Sequence, residues 1–123
     1  MLRVFENITG EHHCLVVRRF SPFFDGESGV SLQALTRCLK DAGYTLRRHE
    51  EAYNTADREA FYGLCRKLKY QAVIFYGEPA HAVLVRVGGT VVDSAQLEEE
   101  AVEAYFGREK SLRIRFFGLV EPE

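Results

Sequence analysis

The sequence predicts an α+β domain: an antiparallel sheet with helices packed mainly on one face. Three observations carry that prediction. Ala82-Val83-Leu84-Val85-Arg86-Val87 and Thr90-Val91-Val92-Asp93 are β-forming runs joined by Gly88-Gly89, the pattern of a hairpin closed by a two-residue turn. Ala72-Val73-Ile74-Phe75 is a continuous apolar run of strand length bounded by Gly77-Glu78-Pro79, and so reads as a central strand covered on both sides. Around these runs lie three segments whose apolar residues recur at helical spacing.

Taken in order, residues 2–5 read as a short strand. Leu15-Val16-Val17 continues into Arg18-Arg19-Phe20 and is stopped by Ser21-Pro22; its spacing fits strand and helix equally. Asp25-Gly26-Glu27-Ser28-Gly29 is an acidic loop, after which Ser31 stands as the N-cap of a helix through about Ala42. Leu32, Leu35, Leu39 and Ala42 line one face of that helix, Gly43 ends it, and Tyr44-Thr45-Leu46-Arg47-Arg48 leaves it as a strand. Asn54 or Thr55 caps a second helix, in which Phe61, Leu64, Cys65 and Leu68 follow the i, i+3, i+4, i+7 pattern. Arg66, Lys67 and Lys69 at its end suit the helix dipole. Leu97, Ala101, Val102 and Tyr105 mark a third helix ended by Gly107, and Leu112-Arg113-Ile114-Arg115-Phe116 alternates as a last strand with one wet face. The expected sheet is a meander of strands near residues 72–76, 82–87, 90–93 and 112–117.

At 123 residues the chain is one domain, 1–123, long enough for a core that removes roughly two-thirds of the unfolded surface from water. Its 16 Lys+Arg against 18 Asp+Glu leave a net charge of −2, which removes the electrostatic argument for a nucleic-acid or membrane-surface partner. Apolar runs reach only a few residues, against the about 20 that a spanning helix needs. Glu6 falls where a signal peptide would carry its apolar region, so the expected location is cytoplasmic. Three cysteines, Cys14, Cys38 and Cys65, odd in number and far apart, fit reduced thiols.

His12, His13 and Cys14 are the local candidates for metal binding, but adjacent side chains diverge and no CxxC or HExxH pair completes a tetrahedron. Neither metal nor cofactor is expected. Gly88-Gly89 is no phosphate loop, because no helix opens after it and no Lys-Ser/Thr follows. Arg18-Arg19, Arg47-Arg48 and Arg66-Lys67-Lys69 read as solvated faces beside core aromatics such as Phe20 and Tyr70. There remains a thiol, an imidazole and a carboxylate: Cys14, His81 and Asp93. A cysteine at its ordinary pKa is mostly protonated and needs a base beside it to act as a nucleophile. His81 opens a buried strand, where the sheet anchors an imidazole at a cleft, and Asp93 closes the partner strand, where it could orient the ring. The plainer alternative is a half-exposed histidine at a strand start, with Asp93-Ser94 as the N-cap of the third helix. Ser94, His13 and Glu78 are candidate binding residues flanking this set.

The run Gly29-Val30-Ser31-Leu32-Gln33-Ala34-Leu35 through Gly43-Tyr44, then Ala72-Val73-Ile74-Phe75, His81 through Val87 and Val91-Val92-Asp93-Ser94, resembles the later part of papain-like cysteine peptidase folds. Within that fold it is most similar to the bacteriocin-processing peptidase domains of ABC transporters and to the Josephin deubiquitinases, over about residues 29–120. The resemblance implies that His81 is the general base, that Asp93 orients it, and that the nucleophile is a Cys opening a buried helix after a Gln that helps form the oxyanion hole. Cys14 has no such Gln before it, and Val16-Val17 are β-branched residues in what should be a helix opening. A two-residue turn also pairs Asp93 with Leu84, three residues from His81, so Asp93 falls on the opposite face and Ser94, opposite Val83, shares the His81 face. The expected function is therefore a catalytically degenerate, pseudo-peptidase domain that binds a protein or peptide. The alternative is an active small cysteine peptidase or deubiquitinase-like hydrolase. In it Cys14 attacks a carbonyl carbon, His81 moves the proton and Asp93 or Ser94 holds the ring. A helix that opens at Cys14 against His81 would favour the hydrolase.

Overall fold

A computed structural model describes residues 2–23, 31–50, 57–77, 80–93, 98–109 and 112–123. Their elements follow in the order α1 (Leu2–Thr9), α2 (His13–Phe20), a 3-10 turn (Ser21–Phe23), α3 (Leu32–Asp41), β1 (Tyr44–Arg48), α4 (Arg58–Arg66), β2 (Ala72–Tyr76), β3 (His81–Arg86), β4 (Thr90–Val92), β5 (Glu100–Ala101), α5 (Val102–Phe106) and β6 (Ile114–Pro122). The class is α+β. The strands form one sheet in the order β1-β6-β2-β3-β4-β5, with every neighbouring pair antiparallel.

The first segment differs from its expectation. Residues 2–5 belong to helix α1, because Val4, Phe5 and Ile8 lie on one helical face, and Val4 and Phe5 are buried. The undecided stretch around residue 16 is helix α2, opened by His12, whose ring accepts from the Cys14 N–H at 3.2 Å, and anchored by buried Val16 and Phe20. Ser31 caps α3 as expected, accepting from the Ala34 N–H at 3.2 Å. The N-cap of α4 is Asp57, which accepts from the Ala60 N–H at 2.7 Å; Asn54 and Thr55 lie outside the described residues. The third helix is shorter than expected, since Ala101 pairs with Thr90 in the sheet before α5 begins.

Helices cover both faces of the sheet, not mainly one. Strand residues Ile74, Val83, Val85, Phe117 and Leu119 pack with α4 and α5, whereas Val73, Leu84 and Val120 pack with α1, α2 and α3. The cause is visible in β2, whose side chains are aliphatic or aromatic at every position, so both of its faces must leave water. The last strand departs from the expected meander for the same reason. Phe117, Leu119 and Val120 make β6 apolar on both sides well past residue 117, and it inserts between β1 and β2.

The hairpin is closed by three residues, not two. Arg86 pairs with Thr90 and Leu84 with Val92, leaving Val87, Gly88 and Gly89 as the loop. Gly88 and Gly89 take φ of 102° and 91°, backbone that a side chain disfavours, and the added residue shifts the register by one.

Candidate functional site

That shift decides the site. With Leu84 opposite Val92, Asp93 stands beyond the end of β4 next to Val83, two residues from His81, so both side chains face the α4/α5 side of the sheet. Asp93 is thereby restored to the His81 face that a two-residue turn would have denied it. Ser94, which that turn would have placed there, lies outside the described residues, as does Glu78.

Asp93 is 7% exposed and is the buried charged side chain among the described residues. Its Oδ1 accepts from His81 Nε2–H at 2.8 Å, and its Oδ2 accepts from the Tyr105 hydroxyl on α5. Because the single Tyr105 proton points at the carboxylate, Tyr76 of β2 must donate to the Tyr105 oxygen, at 2.7 Å. The result is a chain from Tyr76 through Tyr105 to Asp93, with His81 at its outer end. The Tyr76 ring meets the His81 ring edge-on at 5.9 Å between centroids, and the Arg108 guanidinium lies over the Tyr105 ring at 5.4 Å. Burial first, and then the hydrogen bonds with Asp93 and Tyr76, push the Tyr105 phenol far above its ordinary pKa; burial likewise raises Tyr76. Both phenols are fixed as neutral donors.

The imidazole is half-exposed, its side chain 42% accessible, so its inner nitrogen is held by the carboxylate while the ring edge meets solvent. Such a ring can take or give a proton at its outer nitrogen, with its tautomer set from behind. Sequence reasoning found His81 and Asp93 but took Tyr105 for an ordinary apolar helix position. The signal available was two tyrosines, instead of phenylalanine or leucine, at buried positions, since a buried hydroxyl needs a partner.

The structure does not bring Cys14 to this pair. Three features separate them. Cys14 is on α2, whose Val16 and Phe20 pack on the opposite face of the sheet from His81. Two helical steps of about 100° each turn Cys14 away from Val16, so the thiol points outward and is exposed. Asn7 of α1 accepts from Arg86 Nη2 at 2.8 Å, and His13 of α2 pairs with Glu6 of α1, so α2 opens toward the Arg86 end of β3, a strand length of roughly 16 Å from His81. His13 thus caps no cleft with His81; its partner is a carboxylate on α1. Cys38 and Cys65 are buried in α3 and α4, and burial raises both thiols, that of Cys65 to about 12. Among the described residues no group of three or more His, Cys, Asp or Glu gathers as metal ligands, and no helix is long and apolar enough to cross a membrane.

No family model matches the chain, and no curated protein or solved structure does.

Proposed function

We propose that the chain is a protein- or peptide-binding module on a papain-like or Josephin-like scaffold whose thiol-hydrolase machinery is incomplete. The observation that supports this reading is the position of Cys14. Thiol hydrolysis requires a thiolate within about 3 Å of its base, whereas Cys14 is outward-facing, on the other layer and toward the other end of β3. His81 and Asp93 keep the geometry of a base and its orienting group, and α2 opens as a helix with Cys14 in its first turn; these two features speak for the alternative, a cysteine peptidase using Cys14 and His81. Without a nucleophile, the pair instead serves as a rigid polar feature at the end of the hairpin.

The test is mass spectrometry after exposure to a peptide chloromethyl ketone or vinyl sulfone, on the native chain and on His81→Ala. Slow labelling of Cys14 at equal rates in the two proteins is the expected result. Rapid labelling of Cys14 that disappears in His81→Ala would overturn the binding reading in favour of the hydrolase.

A further inference from the structure

We infer that the outer edge of β1 and the groove beside it form a docking site for an extended acidic peptide, which adds to the sheet as a further strand; this rests on the binding-module reading and gives it a place and a partner chemistry. The edge comes first. The His49 N–H donates to Phe117 O at 2.8 Å and the Glu123 N–H to Gly43 O at 2.9 Å, so residues 43, 45, 47 and 49 turn their backbone groups toward β6. By the alternation of a strand, Tyr44, Leu46 and Arg48 turn theirs away from the sheet. β1 is an end strand of the sheet, and among the described residues no strand pairs with that side. The outward N–H and C=O groups of Tyr44 and Leu46 form a row of the kind that an added peptide strand pairs with.

The groove supplies the chemistry. About 260 Å³ lies between β1 and the end of α4, with a floor of Leu64, Leu68 and Leu119 and with Arg47, Lys67 and Lys69 around it. Two basic clusters that stand about twenty residues apart in the sequence therefore converge on one apolar trough. Glu121 holds Arg47 with bonds of 2.8 and 2.6 Å, while Lys67 and Lys69 have no ion-pair partner among the described residues. Positive charge with an apolar floor selects a segment whose groove-facing side chains, at every second position and roughly 6.7 Å apart, alternate between carboxylate and aliphatic. The backbone row favours a peptide over a nucleic acid, which has no ladder groups to offer. The site is separate from His81, three strand spacings away at roughly 14 Å across the sheet, and from Asp93 one strand further on.

The probe is a fluorescein-labelled eight-residue peptide alternating glutamate and leucine on one face and threonine on the other, followed by anisotropy with the full chain. Compared with it are the same peptide with lysine for glutamate, one N-methylated at alternate amides, and an oligonucleotide of equal charge. The expected result is saturable binding of the acidic peptide, weakened at least tenfold by Lys67→Glu with Lys69→Glu, by N-methylation and by raised salt. Lys67→Gln with Lys69→Gln, which removes charge without adding repulsion, should weaken it severalfold while thermal unfolding stays unchanged. Peptide binding indifferent to the lysines would overturn this site and leave the binding reading standing. A basic peptide or the oligonucleotide binding as tightly as the acidic peptide, or no binding, would also overturn it. The underlying reading fails separately, by His81-dependent labelling of Cys14.

Discussion

From described side chains Asp93, at 7% exposure, accepts two hydrogen bonds, one from an imidazole and one from a phenol that itself accepts from a second phenol. A buried carboxylate is tolerated only when its lone pairs are filled, and here donors from β3 and α5 fill them. An amide in its place offers one acceptor and one donor, so His81 must change tautomer to accept from the NH2, and both bonds lose the carboxylate's charge. Asp93→Asn is expected to lower stability by about 2 kcal/mol, Tyr105→Phe by about 1 kcal/mol, and the double variant by less than the sum, all read from urea unfolding at neutral pH. Asp93→Asn within about 0.5 kcal/mol of the native chain would place the carboxylate outside any network that matters to folding. His81→Ala should cost less than Asp93→Asn, because the ring is half-exposed and its loss leaves Asp93 still bonded to Tyr105. The pairing of His81 with Asp93 was readable as residue types at two strand ends. The tyrosines behind it were not, because a hydrophobic pattern scores tyrosine as core and says nothing of where its hydroxyl goes.

A single loop residue separates a sheet that joins His81 to Asp93 from one that parts them. Gly88-Gly89 announces a turn, but a diglycine fits a two-residue turn and a three-residue loop equally, and only the pairing of Arg86 with Thr90 distinguishes them. Val87 is 56% exposed, and its deletion leaves Gly88-Gly89 as a two-residue turn that closes the same pair, Arg86 on Thr90. The register is then kept, with Val91 in the core and Asp93 beside His81. The expected change in stability is within about 1 kcal/mol by urea unfolding. A loss of about 3 kcal/mol or more, as from one aliphatic side chain exposed and one carboxylate stripped of its donors, would mean that β4 slips when the loop is shortened. At Gly89 an added Cβ would come 3.1 Å from Arg66 Cγ on backbone of positive φ, whereas at Gly88 it meets nothing; Gly89→Ala should therefore destabilise more than Gly88→Ala, both by about 1 kcal/mol or more. The elements with strong local signals, α3 with its serine cap, the strand β2 and the hairpin strands, were legible for that reason. Helix α1 was read as strand because residues 2–5 are too few to show a helical period, and Ile8 supplies the next turn only when the window is extended.

The molecule is a sheet between two helical layers, and that arrangement buries a thiol on each side and a pair of phenols on one. Cys38 lies in one layer and Cys65 in the other, while Tyr76 and Tyr105 sit against the second. Neither the two-sided cover nor the return of β6 to the middle of the sheet could be read locally, because both depend on which distant strand a doubly apolar run finds. The doubly covered strand β2 was the one local sign of them. Burial raises all four groups, Cys65 from 9.0 to about 12, so in the folded chain each keeps its proton at pH values where the unfolded chain releases it. Each acid whose folded pKa is raised contributes stability that is fully present below its unfolded pKa and is lost as pH rises toward its folded one. Stability should thus be insensitive to these groups below about pH 8, fall between pH 9 and 10 by about 1 kcal/mol through Cys65, with Cys38 acting in the same direction, and fall more steeply above 10 as the phenols join. Cys65→Ala should start lower, because it leaves a small cavity, yet decline less over pH 9 to 10 than the native chain does. Parallel declines in the two proteins would show that Cys65 ionises as readily folded as unfolded, which a thiol enclosed between α4 and the sheet should not do.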